Sequence, residues 1–333
     1  MKHLFVIHSH TSFLTAMGTI DFLNLKEDEV GIAWSRNYHN ILYDRNYKSE
    51  DINWTAEYPF IKKMFHHRAD FRRIDAQIEN LTGGDEYILY APHPTASQFE
   101  LLLTNKKCVG FNYIQEGALV LKGLFTKRKR SLSYKIKDRI LRLIYNNRLF
   151  GARLTWDVPP FKKLNKEPEC FAISDDIFDG SNYKQNIIKW PAYQIPEEFT
   201  INPENPCFIT ESFIEKDVVD KDVYLGLYKD LINAKGKDFN YIKFHPAQWE
   251  ETKKEIIELF ENEGKKVKVL PDNFPFEVYL SSYKNMTVCG FRSSLVVFAG
   301  QLGHESYSLE NKLRLLSAKY DRWRENMELT KIQ

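Results

Sequence analysis

Short apolar runs alternate with amphipathic stretches along most of the chain, and the alternation falls into two blocks. In the first block, strand-like runs at 3–7, 29–33, 86–90 and 108–114 are followed by helical patterns at 11–23, 71–81, 95–103 and 117–124. In the second, runs at 207–210, 241–244, 266–269 and 285–288 alternate with helical patterns at 221–234, 250–262, 276–282 and 293–302. Such alternation predicts parallel sheets, because parallel neighbours need a crossover between them and a helix is the usual one. Residues 38–67 are polar, aromatic and irregular, and read as a long loop or short helices. Pro159, Pro160, Pro168, Pro191, Pro196, Pro203 and Pro206 punctuate the middle, most densely over 190–206, which reads as a linker. A last amphipathic stretch at 310–327 has no strand after it. The expected class is α/β, with two doubly wound, Rossmann-like domains over 1–195 and 206–308 and a terminal helix over 309–333.

In open parallel sheets, ligands bind beyond the carboxyl ends of the strands. That rule selects a small set of residues. The run at 241–244 stops at His245-Pro246, and a helical stretch follows, so Pro246 is expected at the first helical position, where its missing N–H costs nothing. The His245 imidazole then stands beside a helix N-terminus, which favours anions such as phosphate. Ser293 and Ser294 follow another strand and open an apolar helix. They are natural capping residues, and their hydroxyls with the unpaired backbone N–H groups also make a phosphate cradle. Glu277 sits at the start of a short helix after a proline-bounded turn, where it suits either the helix dipole or a pair of ribose hydroxyls. Lys243, two residues before His245, is placed to reach a base or a phosphate. In the first half, Gln115-Glu116-Gly117 ends a strand, and Glu116 is placed as a general base. The loops His8-Ser9-His10-Thr11-Ser12 and His93-Pro94 end two more strands. His8 and His10 have no third ligand beside them, so no metal site is assigned.

Composition narrows the class. The 333 residues are 43% hydrophobic and 28% charged, as in soluble globular proteins, and the net charge of +2 lacks the basic excess of a nucleic-acid binder. Cys108, Cys170, Cys207 and Cys289 are far apart, three of them in or beside apolar runs, which predicts buried free thiols and a cytoplasmic protein. The N-terminus enters a strand directly and reads as lacking a signal peptide. Over 127–148 the charges of Lys127-Arg128-Lys129-Arg130, Lys135, Lys137, Arg139, Arg142 and Arg148 surround Leu132, Ile136, Ile140, Leu143 and Ile144 at helical spacing. This stretch suits either an anionic membrane surface at the inner face of the cytoplasmic membrane, or a surface helix with its apolar side on the core.

Taken in order, Gln115-Glu116-Gly117, His245-Pro246 and Ser293-Ser294 resemble three short motifs of the bacterial sialyltransferases of the GT-B fold: an acidic pair before Gly, a His-Pro, and a Ser-Ser. Lys243 and Glu277 resemble nucleotide-contacting positions in the same enzymes. The resemblance implies two Rossmann-like domains facing a central cleft, the acceptor on the first, the CMP-sugar on the second, and a terminal helix crossing back to the first. It also implies inverting transfer of sialic acid from CMP-sialic acid to a galactose-type hydroxyl of a surface glycan, with Glu116 as base and His245 at the leaving phosphate. Lys243, Pro246, Glu277, Ser293 and Ser294 hold the donor, and neither metal nor cofactor is called for. One departure is Gln115, which stands where some of these families place the base; Glu116, or else His8, His10 or His93, then takes that role. Bacterial β-Kdo transferases, which use CMP-Kdo, share the arrangement. A non-catalytic nucleotide-binding protein at a membrane surface is the reading of another class.

Overall fold

The structure, a computed structural model, describes residues 1–38, 46–52, 60–94, 96–118, 136, 139–140, 142–146, 148, 158, 162–233 and 240–332. The chain divides into two compact units, Met1–Pro191 and Ala192–Gln333. Each is built on a wholly parallel sheet flanked by helices, so the α/β, doubly wound class is borne out.

The first sheet runs in the order β3-β2-β1-β4-β5-β6-β7. Its strands are β1 (Lys2–Ile7), β2 (Val30–Trp34), β3 (Lys48–Asp51), β4 (Tyr87–Ala91), β5 (Cys108–Ile114), β6 (Glu169–Ala172) and β7 (Lys184–Ile187). Helices α1 (His10–Leu23), α2 (Phe60–Thr82) and α3 (Ser97–Thr104) cover it. Both faces of a covered parallel sheet are apolar, and β1 and β2 accordingly read as near-continuous hydrophobic runs. Helix α1 is buried at every position from Thr11 to Ile20. Its start is fixed by a capping box: Ser9 Oγ accepts from the Ser12 N–H, and Ser12 Oγ accepts from the Ser9 N–H. Gly18 is required where the 188–189 segment crosses, since a Cβ there would lie 2.3 Å from the Lys189 carbonyl oxygen.

The second sheet runs β10-β9-β8-β11-β12. Its strands are β8 (Cys207–Ile209), β9 (Tyr241–Lys243), β10 (Lys268–Leu270), β11 (Thr287–Gly290) and β12 (Glu305–Ser308). Helices α4 (Lys221–Asn233), α5 (Glu250–Asn262), α6 (Phe276–Ser282) and α7 (Ser294–Gln301) lie between the strands, and α8 (Glu310–Leu316) and α9 (Ala318–Ile332) follow the last one. Phe208, Tyr224, Tyr228, Phe260, Phe291 and Tyr320 form the centre of its core. The four cysteines are free and buried, as expected. Burial pushes the Cys108 thiol up to about 11 and the Cys170 thiol up to about 12, which removes both as nucleophiles near neutral pH.

Several expectations change. Strands β3, β6, β7 and β12 were absent from the pattern, and β3 and the start of α2 occupy part of the supposed loop at 38–67. The proline-rich stretch 190–206 is not a loose linker. Trp190 closes the first unit by donating from Nε1 to Thr15 Oγ1 (3.1 Å), whereas 192–206 is strapped onto the second. There the Tyr193 N–H donates to Ser282 Oγ, the Ile201 N–H to the Tyr279 hydroxyl and the Asn202 N–H to the Tyr241 hydroxyl. The terminal stretch is two helices broken at Ser317, whose Oγ accepts from the Tyr320 N–H. Leu313 and Tyr320 from these helices are buried in the second unit's own core. The helical pattern at 117–124 lies outside the described residues beyond Ala118.

Candidate active site

In each sheet the strand order reverses beside the first strand, and side chains from the strand ends converge there. Such a switch point opens a crevice, because the connections on its two sides leave in opposite directions.

In the first unit the switch lies between β1 and β4. His8 follows β1, His93 follows β4, and Glu116 follows the neighbouring β5. The structure brings the three together. His8 Nε2 is 2.8 Å from Glu116 Oε1, and His93 Nε2 is 3.6 Å from Oε2. Arg36 reaches Oε1 from the β2 end at 3.3 Å. His8 Nδ1 is buried with no hydrogen-bond partner among the described residues, so it is the Nε2–H of His8 that donates to Glu116. Burial by itself raises the Glu116 pKa. The His8 hydrogen bond and the charges of His8, His93 and Arg36 outweigh it and hold the carboxyl below the ordinary Glu value. Glu116 is therefore ionised at neutral pH, with its side chain still 29% exposed.

The structure also sorts the alternatives for the base. Gln115 is fully buried and spent on structure: its Oε1 accepts from the Ile173 N–H and its Nε2 donates to the Gly117 carbonyl. It locks the turn that presents Glu116. His10 pairs through Nδ1 with the Tyr38 hydroxyl at 2.8 Å.

In the second unit the switch lies between β8 and β11. Pro246 is not a helical residue: 246–248 form a turn, and α5 starts at Glu250 with Trp249 as N-cap. The reason is that the turn is bonded internally and to the β8 end. The His245 N–H donates to Gln248 Oε1 (3.0 Å) and Thr210 Oγ1 (3.2 Å), and the Gln248 N–H returns to the His245 carbonyl. The Ala247 N–H donates to His245 Nδ1 (3.1 Å), which leaves the proton of neutral His245 on Nε2. Burial, followed by the charge of Lys216, lowers the His245 pKa, so the neutral donor form prevails at pH 7.

Ser293 is the N-cap residue of α7, yet its side chain makes no capping bond. The neighbouring strand end carries Glu211, which follows β8, paired with β11 at Ile209–Gly290, and which the sequence had not singled out. Ser294 is exposed at the helix start. Gly290 is needed before this turn, because a Cβ would stand 2.6 Å from the Ile209 carbonyl oxygen and 3.0 Å from Val296. Gly290→Ala is expected to lower stability by about 1–3 kcal/mol, the usual range for forced overpacking, read as a shift of the urea midpoint. Arg292, just before Ser293, pairs with Glu310, which also takes Arg324 Nε at 2.7 Å. The terminal helices thus brace the serine turn.

Lys243 differs most from expectation. It is 8% exposed, and its Nζ donates to the Pro271 and Asp272 carbonyls at 3.2 Å each. It pins the turn that leads to Glu277, whose half-buried carboxylate is close enough to raise the Lys243 pKa against the dominant lowering by burial. Lys243 positions that turn, with no ammonium group offered outward. Among the described residues, no group of three or more His, Cys, Asp or Glu is placed to hold a metal ion.

The family model described as Alpha-2,8-polysialyltransferase (POLYST) matches residues 121–306, more than half of the chain. The chain belongs to this family. It is a glycosyltransferase of the sialyltransferase kind, which removes the non-catalytic reading. The match spans His245, Glu277, Ser293 and Ser294, and starts just after Glu116. No curated protein sequence matches the chain. Among solved structures, a sialyltransferase from Photobacterium damsela is similar at 14% identity, over 89% of this chain and 71% of that one, with a TM-score of 0.46. A Photobacterium sp. 2,6-sialyltransferase, in a ternary complex with the donor product CMP and the acceptor substrate lactose, is similar at 13% identity, over 89% and 68%, with a TM-score of 0.48. MurG of Acinetobacter baumannii is similar at 12% identity, over 98% and 83%, with a TM-score of 0.37.

Proposed function

We propose that the protein moves sialic acid from CMP-sialic acid to a glycan hydroxyl with inversion, as a GT-B enzyme. The observation that carries this reading is the family match over His245, Glu277, Ser293 and Ser294, which the second sheet gathers at its carboxyl edge. Glu116 takes the proton of the acceptor hydroxyl as that oxygen bonds to the anomeric carbon. The bond from this carbon to the phosphate breaks, and its electron pair leaves on CMP. His245 Nε2–H and the hydroxyls of Ser293 and Ser294 donate to the phosphate, so charge that grows in the transition state meets fixed donors. Glu277 accepts from the ribose hydroxyls, and Pro246 holds the turn that aims His245. These donors supply the stabilisation that a metal gives elsewhere, so turnover is expected to persist in EDTA.

The test is release of CMP from CMP-sialic acid with galactose-terminated and sialic-acid-terminated acceptors, the second because the family's description names an alpha-2,8 linkage. CMP-Kdo and UDP-sugars run as competing donors. Turnover with CMP-sialic acid alone supports the reading; turnover only with another donor, or none with either acceptor, removes it.

We also propose contact with an anionic membrane surface, at the cytoplasmic face. The observation is that Ile136, Ile140, Leu143 and Ile144 are 52%, 51%, 77% and 42% exposed, so this apolar face is not packed on the core. Arg139 lies among them, while Lys127–Arg130 fall outside the described residues. No helix among the described residues is long and apolar enough to cross a membrane. Liposomes with anionic lipid are expected to pellet the wild type and to lose a variant with Leu143→Glu and residues 127–130 neutralised; equal pelleting of the two removes the contact.

A further inference from the structure

Glu211 is a buried acid that neither the sequence motifs nor the reaction scheme uses. It follows β8 at the switch point of the second sheet and is 9% exposed. Its backbone is clamped: the Tyr224 hydroxyl accepts from the Glu211 N–H (3.1 Å) and donates to the Glu211 carbonyl (2.6 Å), and Tyr228 supports Tyr224 from below at 2.9 Å. β8 pairs with β11 at Ile209–Gly290, so Glu211 leaves its strand beside the turn that carries Ser293, whose hydroxyl makes no bond to its own helix. A buried acid kept for stability usually has a cation closed upon it. Glu211 has no ion-pair partner among the described residues and stands instead beside the turn proposed to hold the phosphate.

We propose that Glu211 is a further binding residue for the donor's phosphate, acting with Ser293 as a protonated carboxyl that donates a hydrogen bond to a phosphate oxygen. This rests on the assignment of CMP to the second unit. An ionised carboxylate at that place would repel the phosphate, so the proton makes the site workable. The surroundings favour the proton. Burial raises the Glu211 pKa, against the opposing effects of the Ser293 hydroxyl and the Lys216 charge, up to about 7. Tyr224 and Tyr228 on α4 and Tyr320 on α9 face the same acid, and burial raises all three, so they stay neutral. His245 titrates below its ordinary value and is neutral in the same range. Arg292 and Arg324, which act on Tyr320, are tied to Glu310.

The experiment is calorimetric titration of the full chain with CMP and with cytidine between pH 7 and 9, where a phosphate monoester is already a dianion, its second pKa being about 6. Wild type, Glu211→Gln and Glu211→Ala are compared. Wild-type affinity for CMP is expected to fall toward tenfold per pH unit above about 7. Glu211→Gln, a neutral donor at every pH, holds its affinity flat; Glu211→Ala binds CMP more weakly than Glu211→Gln throughout; cytidine shows no pH dependence in any of them. Thermal melts give a second reading. A raised folded-state pKa makes the wild type lose stability relative to Glu211→Gln as pH rises from the ordinary Glu range to about 7, with no further loss above it. If CMP binds and Glu211→Gln follows the wild-type profile, or the melt difference is flat with pH, the inference is overturned alone. If CMP does not bind the wild type at all, the donor assignment falls and takes this inference with it.

Discussion

Glu116→Gln is expected to reduce kcat by about 100- to 10,000-fold, the range for removing a general base, while CMP affinity stays at the wild-type value. The substitution keeps the shape of the side chain and an oxygen for the His8 Nε2–H at 2.8 Å, so the first unit should fold unchanged. What it removes is the capacity to take a proton. Glu116 is held ionised by its neighbours, which ensures that the carboxylate is present across the physiological range but makes it a weaker base in the ground state. The balance shifts as the acceptor hydroxyl bonds to the anomeric carbon and its proton becomes acidic. His8 should matter through Glu116: His8→Ala removes the donor that stabilises the carboxylate, and the acid limb of the kcat/KM profile should move to higher pH. Single-turnover kinetics on the wild type and both variants, with CMP calorimetry as control, check this. Near-wild-type turnover in Glu116→Gln would remove Glu116 as the base, and His93, 3.6 Å from the same carboxylate, would be the next residue to change.

His245→Ala is expected to lower kcat by about 100- to 1,000-fold, the scale for losing one preorganised donor to developing charge, and to weaken CMP binding far less. The asymmetry follows from the tautomer. With Nδ1 engaged by the Ala247 N–H, the Nε2–H is left to donate, and its hydrogen bond is expected to strengthen as the phosphate leaves. His245→Asn should retain part of the turnover, because an amide N–H can still donate. Comparable losses in kcat and in CMP affinity would instead mean that His245 only holds the nucleotide.

Much of the fold was readable in the chain. Strands β1, β2, β4, β5, β8 and β9 are apolar because helices cover both sides of them, and that burial writes a run into the sequence. The strands missed at the sheet edges are different. Lys48–Asp51 and Glu305–Ser308 expose most of their residues, Lys184–Ile187 exposes half, and none carries an apolar alternation. Their strand character comes from pairing with β2, β6 and β11, which is non-local information. The same distinction holds for the sites. The chain shows His245, Glu277, Ser293 and Ser294 at strand ends and helix starts, positions that local pattern reveals. The burial of Lys243 was not legible, because side-chain direction is not written in the local pattern: its Nζ turns inward to the carbonyls of Pro271 and Asp272. Glu211 was missed because a lone acid after a short strand has no local signature.

The sequence by itself determined the α/β class, the two units, and the order of strand-end residues from Glu116 to Ser294, since these follow from periodicity, breakers and spacing along one dimension. The tertiary structure alone decided which of those ends meet. Parallel strands adjacent in a sheet are far apart in the chain, so the meeting of His8, His93 and Glu116 at one switch point, and of Glu211 and Ser293 at the other, is set by strand order. It also settled the role of Gln115, which burial and two hydrogen bonds turn from a missing base into the clasp that presents Glu116.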